Sequence, residues 1–129
     1  MTKTIEWNGR PVEIDMEQRI VIIDDGGRKS ALMYMPGMPI HVLIQLEGPH
    51  PVWGWDGDAF HPTFSPSILT RLPWGENRRE IQNHVFVKKG MIQYLSDCTH
   101  EYAGKTIPLP KLRDWPEDMR LWDEEEEPR

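Results

Sequence analysis

The pair Lys89-Gly90 constrains this chain more than any other feature, because it separates two short runs of strand-forming residues and so dictates how they pair. Residues 81–88 (IQNHVFVK) and 91–96 (MIQYLS) read as the two strands. With a two-residue loop, Lys88 faces Met91, Phe86 faces Gln93 and His84 faces Leu95. The period of two then places Gln82, His84, Phe86, Gln93, Leu95 and Asp97 on one face. His84 and Asp97 become diagonal neighbours. Cys98, the only cysteine, and His100 follow where the second strand bends away. A slip of one residue would carry His84 to the opposite face.

The rest of the chain repeats this pattern of short strands and sharp turns. Residues 4–7 and 11–15 flank Asn8-Gly9, a strong two-residue hairpin signal. Residues 19–24 carry the β-branched run Ile20 to Ile23, and Asp25-Gly26-Gly27 turns the chain back into residues 30–35. Met33, Met35 and Met38 suit core packing around Pro36-Gly37. Residues 40–46 suit a strand buried on both faces. Val52, Trp53 and Trp55 suit another, followed by a turn at Asp56-Gly57-Asp58. Pro62 to Ser67 forms a rigid extended segment, since its two prolines forbid helix. Residues 68–72 resume a strand, and residues 73–79 form a polar loop. Residues 97–104 read as one or two helical turns ending at Gly104. Residues 106–109 form a short strand. Asp114-Trp115-Pro116-Glu117 resembles a capping box, and Trp115, Met119 and Trp122 recur at helical spacing. The expected fold is mainly β (β-rich α+β), a compact single domain of short antiparallel hairpins with one or two short helices. Residues 1–122 form the globular domain and residues 123–129 a disordered acidic tail.

Charge narrows the function. Residues 114–129 hold eight acidic and two basic residues, so the net charge of -6 belongs to this end, and the remaining body is formally neutral. With no clustered basic face, nucleic-acid binding is disfavoured. No apolar run reaches the roughly 20 residues of a membrane helix, and the first residues lack a signal peptide's apolar segment. A cytoplasmic protein is expected, and one cysteine agrees with a reducing compartment. Gly26-Gly27 is no phosphate loop, the Asp56-Gly57-Asp58 turn lacks the remaining ligands of a calcium loop, and Ser65 and Ser67 lie outside a nucleophile elbow, which argues against a serine hydrolase.

The cluster His84, Asp97, Cys98 and His100 suits two chemistries. Thiolate, imidazole and carboxylate are zinc ligands, so these residues form a candidate metal site. Alternatively, His84 or His100 deprotonates Cys98 while Asp97 orients the imidazole, as in a thiol-dependent enzyme. A structural cluster is the third reading, with Cys98 as a small buried residue and Asp97 as a cap. His61 is an additional candidate ligand, whereas His41 and His50 suit surface or loop positions.

Residues 52–110 resemble a family of small phage and prophage proteins, some of which carry the label ammonia monooxygenase. The family's pattern is Trp-x-Trp-[Asn/Asp]-Gly, Pro-Thr-x-x-Pro-Ser, Cys-His-x-Phe-Val and Asp-Cys-x-His-x-x-Ala-Gly. Trp53, Trp55, Asp56, Gly57, Pro62, Thr63, Pro66 and Ser67 match the first two motifs. His84, Phe86 and Val87 match the third, with Phe86 one position displaced by Val85, and Asp97, Cys98, His100, Ala103 and Gly104 match the last. Asn83 stands where the family often has cysteine, which removes one implied zinc ligand. The monooxygenase label implies a membrane-bound enzyme and does not fit a chain without a spanning segment. The resemblance implies a phage or prophage accessory protein that binds a host or phage protein, a host defence system being the natural target. The alternative is a small metal- or thiol-dependent, hydrolase-like enzyme using His84, Cys98 and His100. The exposed share of Trp53, Trp55, Trp74, Trp115 and Trp122 could serve an interface, although most suit the core.

Overall fold

Hairpins follow one another along the chain wherever a turn residue can take a left-handed backbone. The computed structural model describes residues 1–122; the acidic segment 123–129 lies outside the described residues. Strands β1 (Thr2–Trp7) and β2 (Arg10–Asp15) form a ribbon closed by Asn8 and Gly9, whose φ angles of 52° and 79° suit a two-residue loop. Strands β3 (Val21–Asp25), β4 (Arg28–Met33) and β5 (Val42–Gln45) pair in that order as a three-stranded sheet. Strands β6 (Gly54–Trp55) and β7 (Phe64–Ser65) make a minimal ribbon. Strands β8 (Ile68–Trp74), β9 (Arg79–Lys88), β10 (Met91–Tyr94) and β11 (Thr106–Pro108) form the largest sheet, in the order β11-β10-β9-β8. Every pairing is antiparallel, and the result is a compact, mainly β domain of small sheets.

Two apolar clusters hold these sheets together. The larger joins Ala31, Met33, Val42 and Ile44 of the three-stranded sheet to Ile68, Val85, Val87, Ile92 and Tyr94 of the four-stranded sheet. Met35, Met38, Phe64, Cys98 and Leu109 fill its margins. The smaller packs Ile5 and Ile14 of the first ribbon, with Val21, Ile23 and Leu32, against Leu112, Trp115, Met119 and Trp122. Strand β4 therefore alternates between the clusters, Ala31 and Met33 facing one and Leu32 the other. Covering on both faces belongs to β4, not to residues 40–46 as expected. Leu43 of β5 is 52% exposed, so that face of β5 is open to solvent among the described residues.

Neither expected α-helix forms among the described residues. Residues 97–104 make successive turns, because the Thr99 N–H is drawn to the Gln82 carbonyl of β9 at 3.0 Å instead of winding onto its own segment. The C-terminal segment makes two short 3-10 turns, Leu112–Asp114 and Glu117–Met119. Pro116 separates them and holds Trp115 extended, so no continuous helix can start there. Trp115, Met119 and Trp122 are buried nonetheless. No helix among the described residues is long and apolar enough to cross a membrane.

The extended segment before β8 is clamped to the tip of the β9–β10 hairpin. Lys89 N–H donates to Thr63 Oγ1 and Gly90 N–H donates to the Pro62 carbonyl, both at 2.8 Å. Gly90 has φ 79°, and a Cβ there would lie 3.2 Å from the His61 Cα, so glycine lets the two backbones meet. Ser67 thus enters the large sheet from a fixed direction. Trp115 is fully buried at the centre of the smaller cluster, against Tyr34, His41 and Trp122. We expect Trp115→Ala to lower unfolding free energy by about 3–5 kcal/mol in urea titrations. A loss below about 1 kcal/mol would show that this cluster does not support the fold.

Candidate active site

Strand β9 sends alternate side chains to opposite faces. Asn83, Val85 and Val87 enter the core, while Gln82, His84 and Phe86 lie on the outer face. On that outer face Leu69 of β8 stands opposite His84. Ser67, two residues before Leu69, lies diagonally beside the imidazole, with its Oγ 3.2 Å from His84 Nε2. On the other flank Leu95 N–H donates to the His84 carbonyl at 2.9 Å, and Asp97 takes the second diagonal position. Asp97 Oδ2 lies 3.0 Å from His84 Nδ1. Hydroxyl, imidazole and carboxylate therefore form a line across three neighbouring chain segments. Ser67 is half-buried, and the side chains of His84 and Asp97 are 25% and 51% exposed, so the line is open to solvent.

The segment carrying Asp97 is stitched to β9 residue by residue. The ladder of β10 ends near Leu95, and the His84 N–H finds the Cys98 sulfur at 3.3 Å instead. The thiol in turn donates to the His84 carbonyl at 3.4 Å. Gln82 N–H donates to Thr99 Oγ1 at 2.9 Å. The Gln82 side-chain amide donates to the Asp97 carbonyl at 3.0 Å and to Asp97 Oδ2 at 3.1 Å. Its own oxygen accepts from Arg71 Nε at 2.8 Å.

The four residues proposed from the sequence as metal ligands divide between the two faces. His84 and Asp97 meet outside. Cys98 is buried, and its sulfur engages the backbone of His84, not its ring. His100 lies within, its Nε2–H donating to Asn83 Oδ1 at 2.7 Å and its Nδ1 accepting from the Tyr102 N–H at 3.2 Å. Both imidazoles thus have both nitrogens engaged. Among the described residues, no three His, Cys, Asp or Glu side chains converge on a point that could hold a metal ion. These four residues therefore do not come together as one donor set, and the hydrogen bonds of the thiol go to the main chain of His84.

His61 is at the hairpin tip against Gly90. His41 donates its Nε2–H to the Met119 carbonyl at 2.7 Å, and His50 is an exposed loop residue. The two carboxylates of the Asp56-Gly57-Asp58 turn are used locally. Asp56 accepts from the N–H groups of Asp58 and Thr63, and Asp58 from those of His61 and Phe60, bonds that lower the Asp58 pKa.

Ser67, which the sequence argued against as a nucleophile, is the hydroxyl that lies beside His84. A nucleophile elbow is only one way to present a hydroxyl. Here the end of a proline-braced segment does so, with Trp53 Nε1–H holding the Ser67 carbonyl at 3.1 Å. The available signal was the β8–β9 register. Strand β8 continues through Pro73 and Trp74, and pairing Trp74 with Arg79 sets Ser67 diagonal to His84.

The partly buried His100 gives a pH dependence of stability. Burial lowers the His100 pKa from its ordinary 6.5, against an opposing pull from Glu101. Its ring meets Tyr94 edge-on at 5.2 Å and leaves no room for a Cβ at Gly37, which would come within 2.8 Å of Nδ1. Protonating Nδ1 would forfeit the bond from Tyr102. A depressed folded-state pKa contributes stability that is present above the unfolded value and lost as pH falls through the folded one. The stability advantage of the native protein over His100→Gln should therefore shrink from about pH 7 to about pH 5 in urea titrations. A constant difference would refute it.

Comparison with known proteins gives one family, described as bacterial ubiquitination-like system serine protease (BubE), whose model matches residues 7–95. The match includes Ser67 and His84 and stops just before Asp97. No curated protein and no solved structure matches the chain. The matched span is well over half of the 129 residues, and it contains the hydroxyl and the imidazole that the fold brings together: the chain belongs to the BubE family of bacterial ubiquitination-like system proteins.

Proposed function

We propose that the protein is a serine peptidase of a bacterial ubiquitination-like system, with Ser67 as nucleophile, His84 as general base and Asp97 as the orienting carboxylate. The observation that carries this is the unbroken line Ser67 Oγ, His84 Nε2, His84 Nδ1, Asp97 Oδ2, with links of 3.2 and 3.0 Å. Both are within hydrogen-bond reach, and the first is the distance at which a base can take a hydroxyl proton. The family description names the same chemistry.

Asp97, an acceptor, holds the imidazole proton on Nδ1 and leaves the Nε2 lone pair facing Ser67. A hydroxyl is a weak nucleophile until a base removes its proton as it attacks. Ser67 Oγ adds to the carbonyl carbon of the scissile bond while its proton passes to Nε2. The resulting imidazolium, stabilised by Asp97, gives that proton to the leaving nitrogen as the carbon–nitrogen bond breaks. Water then attacks the acyl-serine and gives a proton to His84, which returns it to Ser67 Oγ as the ester bond breaks and the new carboxyl terminus leaves. The accessible outer face of the sheet suits a protein chain as substrate, so binding and catalysis share one surface. Leu69, 44% exposed and directly opposite His84, offers this chain an apolar contact.

A fluorophosphonate probe tests the assignment. It should phosphonylate Ser67 alone, located by peptide mass spectrometry. Ser67→Ala should abolish labelling, and His84→Ala should slow it by about 10³-fold or more. Asp97→Asn should slow it by about 10²-fold or more, because the imidazole then loses its enforced tautomer. Labelling at any other residue, or a Ser67→Ala protein that labels like the native one, would disprove the assignment.

A further inference from the structure

The catalytic line does not end at Asp97. Gln82 lies two residues before His84 on the same outer face of β9, and its Nε2 reaches the oxygen, Oδ2, that also faces the imidazole. Asp97 is half-exposed and sits in a turn segment, a weak mooring for a group that must fix an imidazole. Gln82 supplies that mooring twice, through the carboxylate and through the Asp97 main-chain carbonyl. Its own main chain is held in both directions by Thr99, two residues past Asp97.

Arg71 determines which way the amide points. It pairs with Gln82 across the β8–β9 register and donates from Nε to Oε1 at 2.8 Å. A flipped amide would set its NH₂ against the guanidinium and its oxygen against the Asp97 carboxylate, two unfavourable contacts at once. Resting on the assignment of Ser67, His84 and Asp97 above, we infer that Gln82 is a positioning residue of the relay, which holds Asp97 against His84 with its amide oriented by Arg71. Such outer partners set the orientation of a catalytic group much as they do for metal ligands.

The test uses Gln82→Ala and Gln82→Glu in the full chain, with fluorophosphonate labelling of Ser67 followed over a pH series. Gln82→Ala should slow labelling by about ten-fold, since a misplaced base is costly even over small distances. Gln82→Glu keeps the length and the bond to Arg71, but sets a second carboxylate beside Asp97. It should slow labelling and move the acid limb of the rate profile to higher pH, because added negative charge favours the protonated imidazole. Unchanged melting temperatures would separate these effects from unfolding, which alone would not displace the pH profile. Native rates with an unchanged profile in both variants would overturn the inference. The low-field proton resonance of His84 Nδ1–H gives a second readout independent of serine chemistry. If native protein labels no faster than Ser67→Ala, the peptidase assignment fails, and the resonance still decides the role of Gln82: its loss in Gln82→Ala supports the mooring, and its persistence refutes it.

Discussion

The alternation of β9 is the constraint on which the molecule depends. One strand must supply both a core surface and a chemical surface, and the period of two divides its residues between them. Val85 and Val87 seal the four-stranded sheet against the three-stranded one, while His84 and Gln82 remain outside. Asn83 is the polar exception on the inner face. It is fully buried, and its amide is satisfied by His100 on one side and the Met35 sulfur on the other. An unpartnered amide at that depth would cost about 1–3 kcal/mol, so the inward His100 matches the inward Asn83.

This alternation also explains why chemically similar residues close in sequence serve different ends. Cys98 and His100 are near Asp97 along the chain, yet Cys98 is buried and the partly buried His100 turns to Asn83. The thiol closes the ladder where β10 departs, and the imidazole props Gly37 and Asn83. Asp97 alone of that segment reaches outward to His84. Cysteine and histidine in one short motif invite a metal reading, but ligands must share a face as well as a neighbourhood.

The hairpin across Lys89-Gly90 was legible because a two-residue loop leaves no freedom of register, and the observed pairing is Lys88 with Met91 and Phe86 with Gln93. The contact between His84 and Asp97 followed from it. The other half of the site was hidden for the same reason in reverse. Residues 73–79 look like loop because of Pro73 and the polar run after it, although Pro73 sits in an edge strand, where its missing N–H is tolerated. Without that pairing Ser67 had no address on the sheet. The missing helices are a separate matter: their spacing was helical, but long-range bonds to Gln82 and the break at Pro116 prevailed over local propensity.

Three chain segments each lend one group to the line from Ser67 to Asp97, and the separations between them are set by the spacing of strands, about 4.8 Å apiece, not by the loops that connect them. Residues 75–78 can therefore lengthen or shorten without disturbing the distances along that line. An insertion inside β9 has the opposite consequence. One extra residue between Gln82 and His84 would turn the imidazole inward and present a core residue to solvent, erasing the chemistry and loosening the fold together. Drift in this chain is thus channelled: the turn between β8 and β9 is free to vary in length, and the strand that follows it is not.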